Sequence, residues 1–127
     1  MKAVIAAVAV AALLGGIVNI GDSAPKLEGG LKEILVKGSP WEVAFDRLDA
    51  RSQGRFNQTF TENPDGSLST TTDEVGPYET SVRFSEDRKS ATWTSPHSNV
   101  IKMSIRWNEV YGEGRGGNLR LYYKSKQ

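Results

Sequence analysis

A two-residue alternation of apolar and polar side chains recurs along the chain from Trp41 onward. Trp41, Val43 and Phe45 are each followed by a polar or small residue, and similar alternations cover residues 55–60, 78–84, 101–107 and 119–124. Successive side chains of a β-strand point to opposite faces, so each stretch predicts a strand with one dry and one wet face. Such a pattern is typical of antiparallel strands packed on a single side.

Residues with turn chemistry separate these stretches. Asn63-Pro64-Asp65-Gly66 places proline where φ is preset and glycine where a positive φ is free, which predicts a hairpin between 56–61 and 67–72. Short strands about ten residues apart predict an all-β fold, a small antiparallel β-barrel or barrel-like sandwich of about seven strands. Residues 31–36 suit either a short helical turn or a first strand, and we expect no long helix after Gly38.

An apolar run precedes this domain. Residues 1–20 carry one charge, Lys2, before a run of Ala, Val, Ile and Leu, which is typical of a secretory signal. Gly21 and Ser23 place cleavage after Ser23, while an uncleaved signal anchor is the alternative. We therefore expect a signal peptide or anchor over 1–23, a linker and first short element over 24–37, and a β-barrel domain over 38–127. The protein would be periplasmic or secreted, or else membrane-anchored and facing outside the cytoplasm.

The absence of cysteine and the distribution of charge exclude several classes of function. The chain has no cysteine, which excludes disulfides, thiolate metal sites and thiol catalysis. Its 16 basic and 15 acidic residues are interspersed, and without a basic block nucleic acid is not an expected partner. We expect no cofactor, and membrane contact only through residues 1–20 if that segment is uncleaved.

A glycine motif, the histidine and the carboxylates each have a structural explanation that we prefer to a catalytic one. Gly112, Gly114 and Gly117 have dinucleotide-fingerprint spacing, but a strand pattern follows them instead of the helix that holds a pyrophosphate, so we predict a hairpin loop. His97 is the only histidine and lies in a Ser/Pro/Asn turn. The carboxylates are scattered, and a glycosidase-like acid and base pair is a minor alternative. We therefore predict a protein that is not an enzyme.

The aromatic and large apolar side chains provide the remaining candidate sites. Candidate ligand-binding residues are those in the dry register of their strands: Trp41, Phe45, Tyr78, Met103 and Trp107. Trp93 has no clear apolar partner at two-residue spacing, and Tyr122 lies in the opposite register from its neighbours. Exposed rings on a sheet commonly form contact surfaces, so Trp93 and Tyr122 are the predicted interaction surface.

Two features resemble the lipocalin and avidin-like (calycin) pattern. Gly38-Ser39-Pro40-Trp41 opens the first clear strand, and Arg120 lies on the last. The calycin pattern has Gly-x-Trp and a late arginine over that tryptophan, whereas the spacing here is Gly-x-x-Trp, in a chain that is short for a lipocalin. The resemblance implies a barrel in which Trp41 is a structural plug, Arg120 is its cation–π lid, and ligands enter at the opposite, open end.

Two functions from different classes follow. The first is an exported, non-enzymatic binding protein of the cell envelope that holds a small apolar ligand inside the barrel. The second is a structural or protein-interaction module that contacts an envelope protein through an exposed sheet face. The many bulky inward residues weigh against the first, because they can fill a small barrel completely.

Overall fold

A computed structural model describes Leu27 and residues 29–127, so the expected signal peptide or anchor lies outside the described residues. A short helix, α1, precedes eight strands. The elements are α1 (Leu31–Gly38), β1 (Trp41–Arg47), β2 (Ser52–Glu62), β3 (Leu68–Thr72), β4 (Tyr78–Phe84), β5 (Ser90–Thr94), β6 (Val100–Arg106), β7 (Glu109–Gly114) and β8 (Leu119–Ser125). Each strand is antiparallel to the next, and β8 pairs with β1 to close the barrel. The all-β fold class is confirmed, with a closed barrel in place of the sandwich.

The hairpin predicted from the Asn-Pro-Asp-Gly turn is present between β2 and β3. Glu62 pairs with Leu68, the Asn63 N–H donates to the Ser67 carbonyl at 2.8 Å, and Gly66 has a φ of +90°. The predicted strand over 78–84 coincides with β4. Local turn chemistry and alternation therefore located these elements correctly.

Strand β7 is the element missing from the sequence prediction, which places a hairpin loop over residues 112–117. Gly112 and Gly114 belong to this strand and face inward. A Cβ on Gly112 would lie 3.2 Å from Ile101 Cγ2 and 3.2 Å from Leu121 Cβ. These glycines therefore serve close packing inside the barrel, and β8 follows after a single 3-10 turn at Arg115–Gly117.

Helix α1 closes one end of the barrel. Leu31, Ile34 and Leu35 are buried and belong to the same apolar cluster as the barrel interior. The Lys32 ammonium donates to the Gly66 carbonyl at 2.6 Å and lies 2.9 Å from the Glu62 carboxylate, which fixes the start of the helix to the β2–β3 hairpin. We call this the helix end.

The other end of α1 is fixed by Ser39. Its hydroxyl donates to the Leu35 carbonyl at 2.8 Å and accepts the Phe60 N–H at 2.8 Å. The Ser125 hydroxyl donates to the Gly38 carbonyl at 2.6 Å. Hydrogen bonds from β2 and β8 thus hold the helix against the barrel.

Trp41 is a buried plug at the helix end, but Arg120 is not its lid. The Trp41 indole N–H donates to the Leu35 carbonyl at 2.9 Å, and its ring meets the Tyr123 ring edge-on at a centroid distance of 6.1 Å. Arg120 lies near the opposite end of the barrel, where its Nε donates to the Gly117 carbonyl at 3.3 Å. The expected cation–π contact is wrong, because β8 begins at Leu119 and Arg120 is its second residue.

Among the residues described, no helix has the length and apolar character needed to cross a membrane.

Candidate ligand site at the open end of the barrel

A cavity opens at the end of the barrel opposite α1, which we call the open end. Its volume is about 320 Å³. It is lined by Phe45, Arg47, Ser52, Phe56, Glu74, Trp93, Ser95, His97, Asn99, Ile101, Arg115, Leu119 and Leu121. Aromatic and aliphatic side chains from the strands meet polar and charged groups at or beyond the strand ends. This combination of apolar lining and a few polar groups is typical of small-molecule sites.

The up-and-down topology explains why these polar groups converge. The connections 48–51, 73–77, 95–99 and 115–118 alternate along the chain with those at the helix end. Each therefore lies at the open end, although the groups they carry are far apart in sequence. The Leu48 N–H donates to the Asn118 carbonyl at 2.7 Å, which joins the first of these loops to the last.

Two arginines at the open end share one carboxylate. Arg115 Nη2 and Nε lie 2.9 Å and 3.0 Å from Asp49 Oδ2, and Arg47 Nε lies 3.3 Å from Asp49 Oδ1. Hydrogen bonds from Arg47 and then Arg115 hold the pKa of Asp49 below its ordinary value. Two guanidinium groups thus share one carboxylate, and the carboxylate that lines the cavity with them is Glu74.

The loop over residues 95–99 positions His97 and Asn99. The buried Ser95 hydroxyl accepts the N–H groups of His97 at 3.3 Å and Asn99 at 3.2 Å. His97 Nε2 lies 3.7 Å from Glu74 Oε2, while Arg115 Nη1 donates to Asn99 Oδ1 at 3.4 Å. The turn therefore places an imidazole beside one carboxylate and an amide beside a guanidinium.

The aromatic part of the cavity wall comes from β1, β2 and β5. Phe56 packs against Phe45 at a centroid distance of 6.1 Å and against Trp93 at 6.4 Å. Trp93 is 3% exposed, and its indole N–H interacts with the Tyr123 hydroxyl without making a hydrogen bond of good geometry. The cavity wall thus contains a weakly bonded donor beside its apolar rings.

A buried polar network lies within the barrel below this cavity. The Tyr123 hydroxyl donates to Gln58 Oε1 at 3.0 Å, and Gln58 Nε2 donates to Thr70 Oγ1 at 2.8 Å. The Thr70 hydroxyl donates in turn to the Thr59 carbonyl at 3.0 Å. Burial raises the pKa of the Tyr123 phenol, so it remains a neutral donor. These bonds connect β8, β2 and β3 across the interior.

Only one of the five predicted ligand-binding residues lines the cavity. Phe45 lines it, while Trp41 and Met103 are fully packed core residues. Tyr78 is half-buried and donates its hydroxyl to the Thr94 carbonyl at 2.6 Å, which bridges β4 and β5. Trp107 lies outside the barrel and is 90% exposed.

The placement of Trp107 in the dry register is wrong because the strand ends before it. Arg106 pairs with Glu109, which leaves Trp107 and Asn108 as a two-residue turn with φ values of +55° and +61°. Alternation predicts sides only while the backbone stays extended. The two residues of the turn therefore leave the register of β6.

Of the two residues of the predicted interaction surface, Trp93 is buried and Tyr122 is exposed. The expected exposure of Trp93 is wrong, because Trp93 pairs with Ile101 on the inward register of β5. Tyr122 is 45% exposed and packs edge-on against Tyr111 at a centroid distance of 5.6 Å. Arg106 lies over the Tyr111 ring at 4.3 Å, so Tyr122 borders a small aromatic and cationic patch on the outside of the barrel.

No sequence motif marks the charged groups of the cavity. Arg47, Glu74 and Arg115 come from three different connections or strand ends and have no common motif. A usable signal does exist, because in an up-and-down barrel every second connection lies at the same end. Grouping the polar residues of alternate connections would have brought these three together with His97.

Within residues 27 and 29–127, no group of three or more His, Cys, Asp or Glu side chains is arranged to hold a metal ion. No protein-family model, curated protein or solved structure matches this chain.

Proposed function

We propose that this protein is a non-enzymatic binding protein that holds a small amphiphile in the open end of its barrel. The cavity carries the proposal, since its volume of about 320 Å³ lies near the lower end of the range for ligand pockets, about 300–1,000 Å³. Its ligand would be small and would place an apolar body against Phe45, Phe56 and Trp93. A distant kinship with lipocalin-like barrels fits this proposal, because the helix end is plugged and the opposite end is open.

The polar groups favour a ligand with a carboxylate or similar acidic head. Two arginines, Arg47 and Arg115, line the cavity together with one carboxylate, Glu74, while Asp49, which binds both arginines, is not part of the lining. A carboxylate at the mouth would accept charge-assisted hydrogen bonds from the same guanidinium groups. A purely apolar ligand would leave these donors without a new partner, so the ligand we propose is amphiphilic.

Titration with octanoate tests this proposal. Trp93 lies in the cavity wall, and a Trp107→Phe background removes the emission of the exposed tryptophan without touching the cavity. We expect octanoate to give a saturable change in the remaining tryptophan fluorescence. The absence of any saturable change with octanoate, octanol or their longer homologues would reject a ligand cavity.

Arginine variants test the head-group preference. Arg115→Gln should weaken octanoate binding about five- to twentyfold, the effect of losing one charge-assisted contact at a partly solvated site, and should leave octanol binding unchanged. Arg55→Gln is the matched control, since Arg55 lies on β2 with an outward, largely exposed side chain near Glu42. Equal losses in the two variants would mean that only the overall charge matters.

The alternative is an interaction module that uses the patch around Tyr122. The exposed part of Tyr122, the Tyr111 ring and Arg106 favour it, because tyrosine and arginine are enriched in protein interfaces. The burial of Trp93 removes the other ring on which this alternative depended. Tyr122→Ala should abolish partner binding under this alternative and leave octanoate binding intact.

A further inference from the structure

The exposed tryptophan at the helix end is the feature that the ligand site does not explain. Trp107 is 90% exposed, although burying such a large ring is a major source of stability. Its φ of +55° is uncommon for a bulky residue, since a two-residue turn with two positive φ values favours Asn and Gly. The fold thus holds an aromatic ring outward on a tight turn.

Leu27, the first described residue, lies beside this turn. The Leu27 N–H donates to Asn108 Oδ1 at 2.9 Å, and Leu27 packs against the apolar cluster at the helix end. Six residues lie between Ile20 and Leu27, and the seven Cα–Cα steps span at most about 25 Å when fully extended. The end of the apolar segment, residues 1–20, is therefore tethered within that distance of Leu27, which is bonded to the neighbour of Trp107 in the turn.

We propose that the apolar segment is retained as a membrane anchor and that Trp107 lies in the membrane interface beside it. Tryptophan is enriched at the boundary between lipid and water, where its ring is in contact with apolar groups and its N–H remains hydrated. Ile105, two residues earlier on β6, is 39% exposed and adds apolar surface at the same end. The helix end then faces the bilayer, and the cavity opens away from it into the aqueous compartment.

The main alternative is the opposite orientation, in which the open end faces the bilayer, because exposed apolar side chains also surround that end. Leu48, Val75 and Val100 are exposed around the open end, at 46%, 58% and 61%. They would meet lipid if the mouth faced the membrane. The position of Leu27 favours an orientation with the helix end toward the bilayer, because the short connection from residue 20 reaches the barrel at that end.

Lipid quenching of the full chain tests which end faces the bilayer. The 127-residue protein is reconstituted in phosphatidylcholine vesicles with and without brominated acyl chains. We expect bromine to quench the wild-type emission and the Trp107→Phe variant to lose that quenched component, because Trp41 and Trp93 are buried inside the barrel. Equal quenching of wild type and Trp107→Phe would overturn the proposal.

A single introduced cysteine reports whether the open end of the barrel is exposed to water, since the chain has no cysteine of its own. Val75→Cys, labelled with an environment-sensitive fluorophore, should stay as accessible to iodide in vesicles as in detergent. A severalfold loss of iodide quenching at position 75 on reconstitution would place the mouth against lipid and overturn the orientation. Release of residues 1–23 by signal peptidase from the full chain in membranes would overturn the retained anchor. None of these readouts depends on the ligand of the cavity.

Discussion

The two ends of the barrel are made from the same eight strands and differ in how their interiors are completed. At the helix end, Trp41 is 3% exposed, its indole N–H is bonded to Leu35, and α1 seals the opening. At the open end, Phe45 is only half-buried and the Trp93 N–H makes no hydrogen bond of good geometry. The helix end satisfies its polar groups, whereas the open end keeps a cavity and a weakly bonded donor.

This difference separates the residues that stabilise the fold from those available for binding. Fully packed interiors provide most of the free energy of folding, while sites retain solvated charge and incomplete packing. Arg47, Arg115 and Asp49 form an ion-pair cluster that remains in contact with solvent, where such pairs add little stability. Changes at the helix end should therefore affect unfolding, and changes at the open end should affect binding.

Replacing Trp41 with alanine should have the largest effect. Trp41→Ala empties the packed helix end and removes a buried hydrogen bond, and we expect a loss of about 3–5 kcal/mol in the free energy of unfolding. Trp107→Ala is the matched control, because the same residue type is removed from a 90% exposed position. Urea unfolding followed by circular dichroism measures both variants. Similar losses at the two positions would show that the helix end does not determine stability.

Adding a methyl group at Gly38 should weaken the packing of α1 against the barrel. A Cβ built there would lie 2.1 Å from Cζ2 of the Trp41 ring, and that ring is held by its bond to Leu35. Because the buried ring has little freedom to move, we expect Gly38→Ala to cost about 2 kcal/mol in the free energy of unfolding. Lys37→Ala, on an exposed position of the same helix, should leave unfolding unchanged. Equal behaviour of the two variants in thermal unfolding would contradict the close contact.

Adjacent tyrosines on β8 test the buried network. Tyr123→Phe leaves Gln58 Oε1 without its donor inside the barrel, and we expect a loss of about 1–2 kcal/mol. Tyr122→Phe removes a hydroxyl from an outward position, where water can replace it, and should change stability by less than about 0.5 kcal/mol. Denaturant unfolding of both variants gives the comparison. A neutral Tyr123→Phe would mean that the network does not stabilise the interior.

The helix end and the open end also differ in how much of each could be predicted from the sequence. The alternating stretches and the Asn63–Gly66 turn predict strands because both depend on residues close in sequence. Trp41 could be assigned to the core for the same reason. The alternation failed for Trp107, because no local signal marks the end of β6 one residue before it. It also failed for Trp93, because the flanking threonines gave no apolar partner at two-residue spacing although cross-strand Ile101 supplies one.

The open end was beyond local patterns altogether. Arg47, Glu74, His97 and Arg115 meet only because four alternate connections lie at one end of a closed barrel. Closure itself depended on β7, whose glycines have the composition of a loop. Gly112 is in a strand because Ile101 and Leu121 occupy the space of its missing side chain, a tertiary requirement that composition does not reveal.

The smallest expected effect concerns the response to acid of the loop over residues 73–77 at the open end. Asp73 accepts the Asn57 N–H and the Asn57 side-chain amide, each at 2.8 Å, and these bonds, the backbone one foremost, lower its pKa from the ordinary 3.8. A carboxyl group with a lower pKa in the folded state stabilises the fold above the unfolded pKa, and this contribution is lost as the pH falls through the folded pKa. Because Asp73 is exposed, we expect Asp73→Asn to cost less than about 1 kcal/mol at pH 7.

The pH dependence distinguishes this carboxylate from a merely structural side chain. The difference in unfolding free energy between wild type and Asp73→Asn should be constant from pH 7 to about pH 5 and should shrink toward zero below the ordinary pKa of 3.8. Chemical unfolding at several pH values measures it. A difference that stayed constant down to pH 2 would assign the effect to the shape of the side chain. A difference that vanishes in acid would show that even at the open end a single charged contact fixes the loop beside Glu74, while the rest of that end stays available for a ligand.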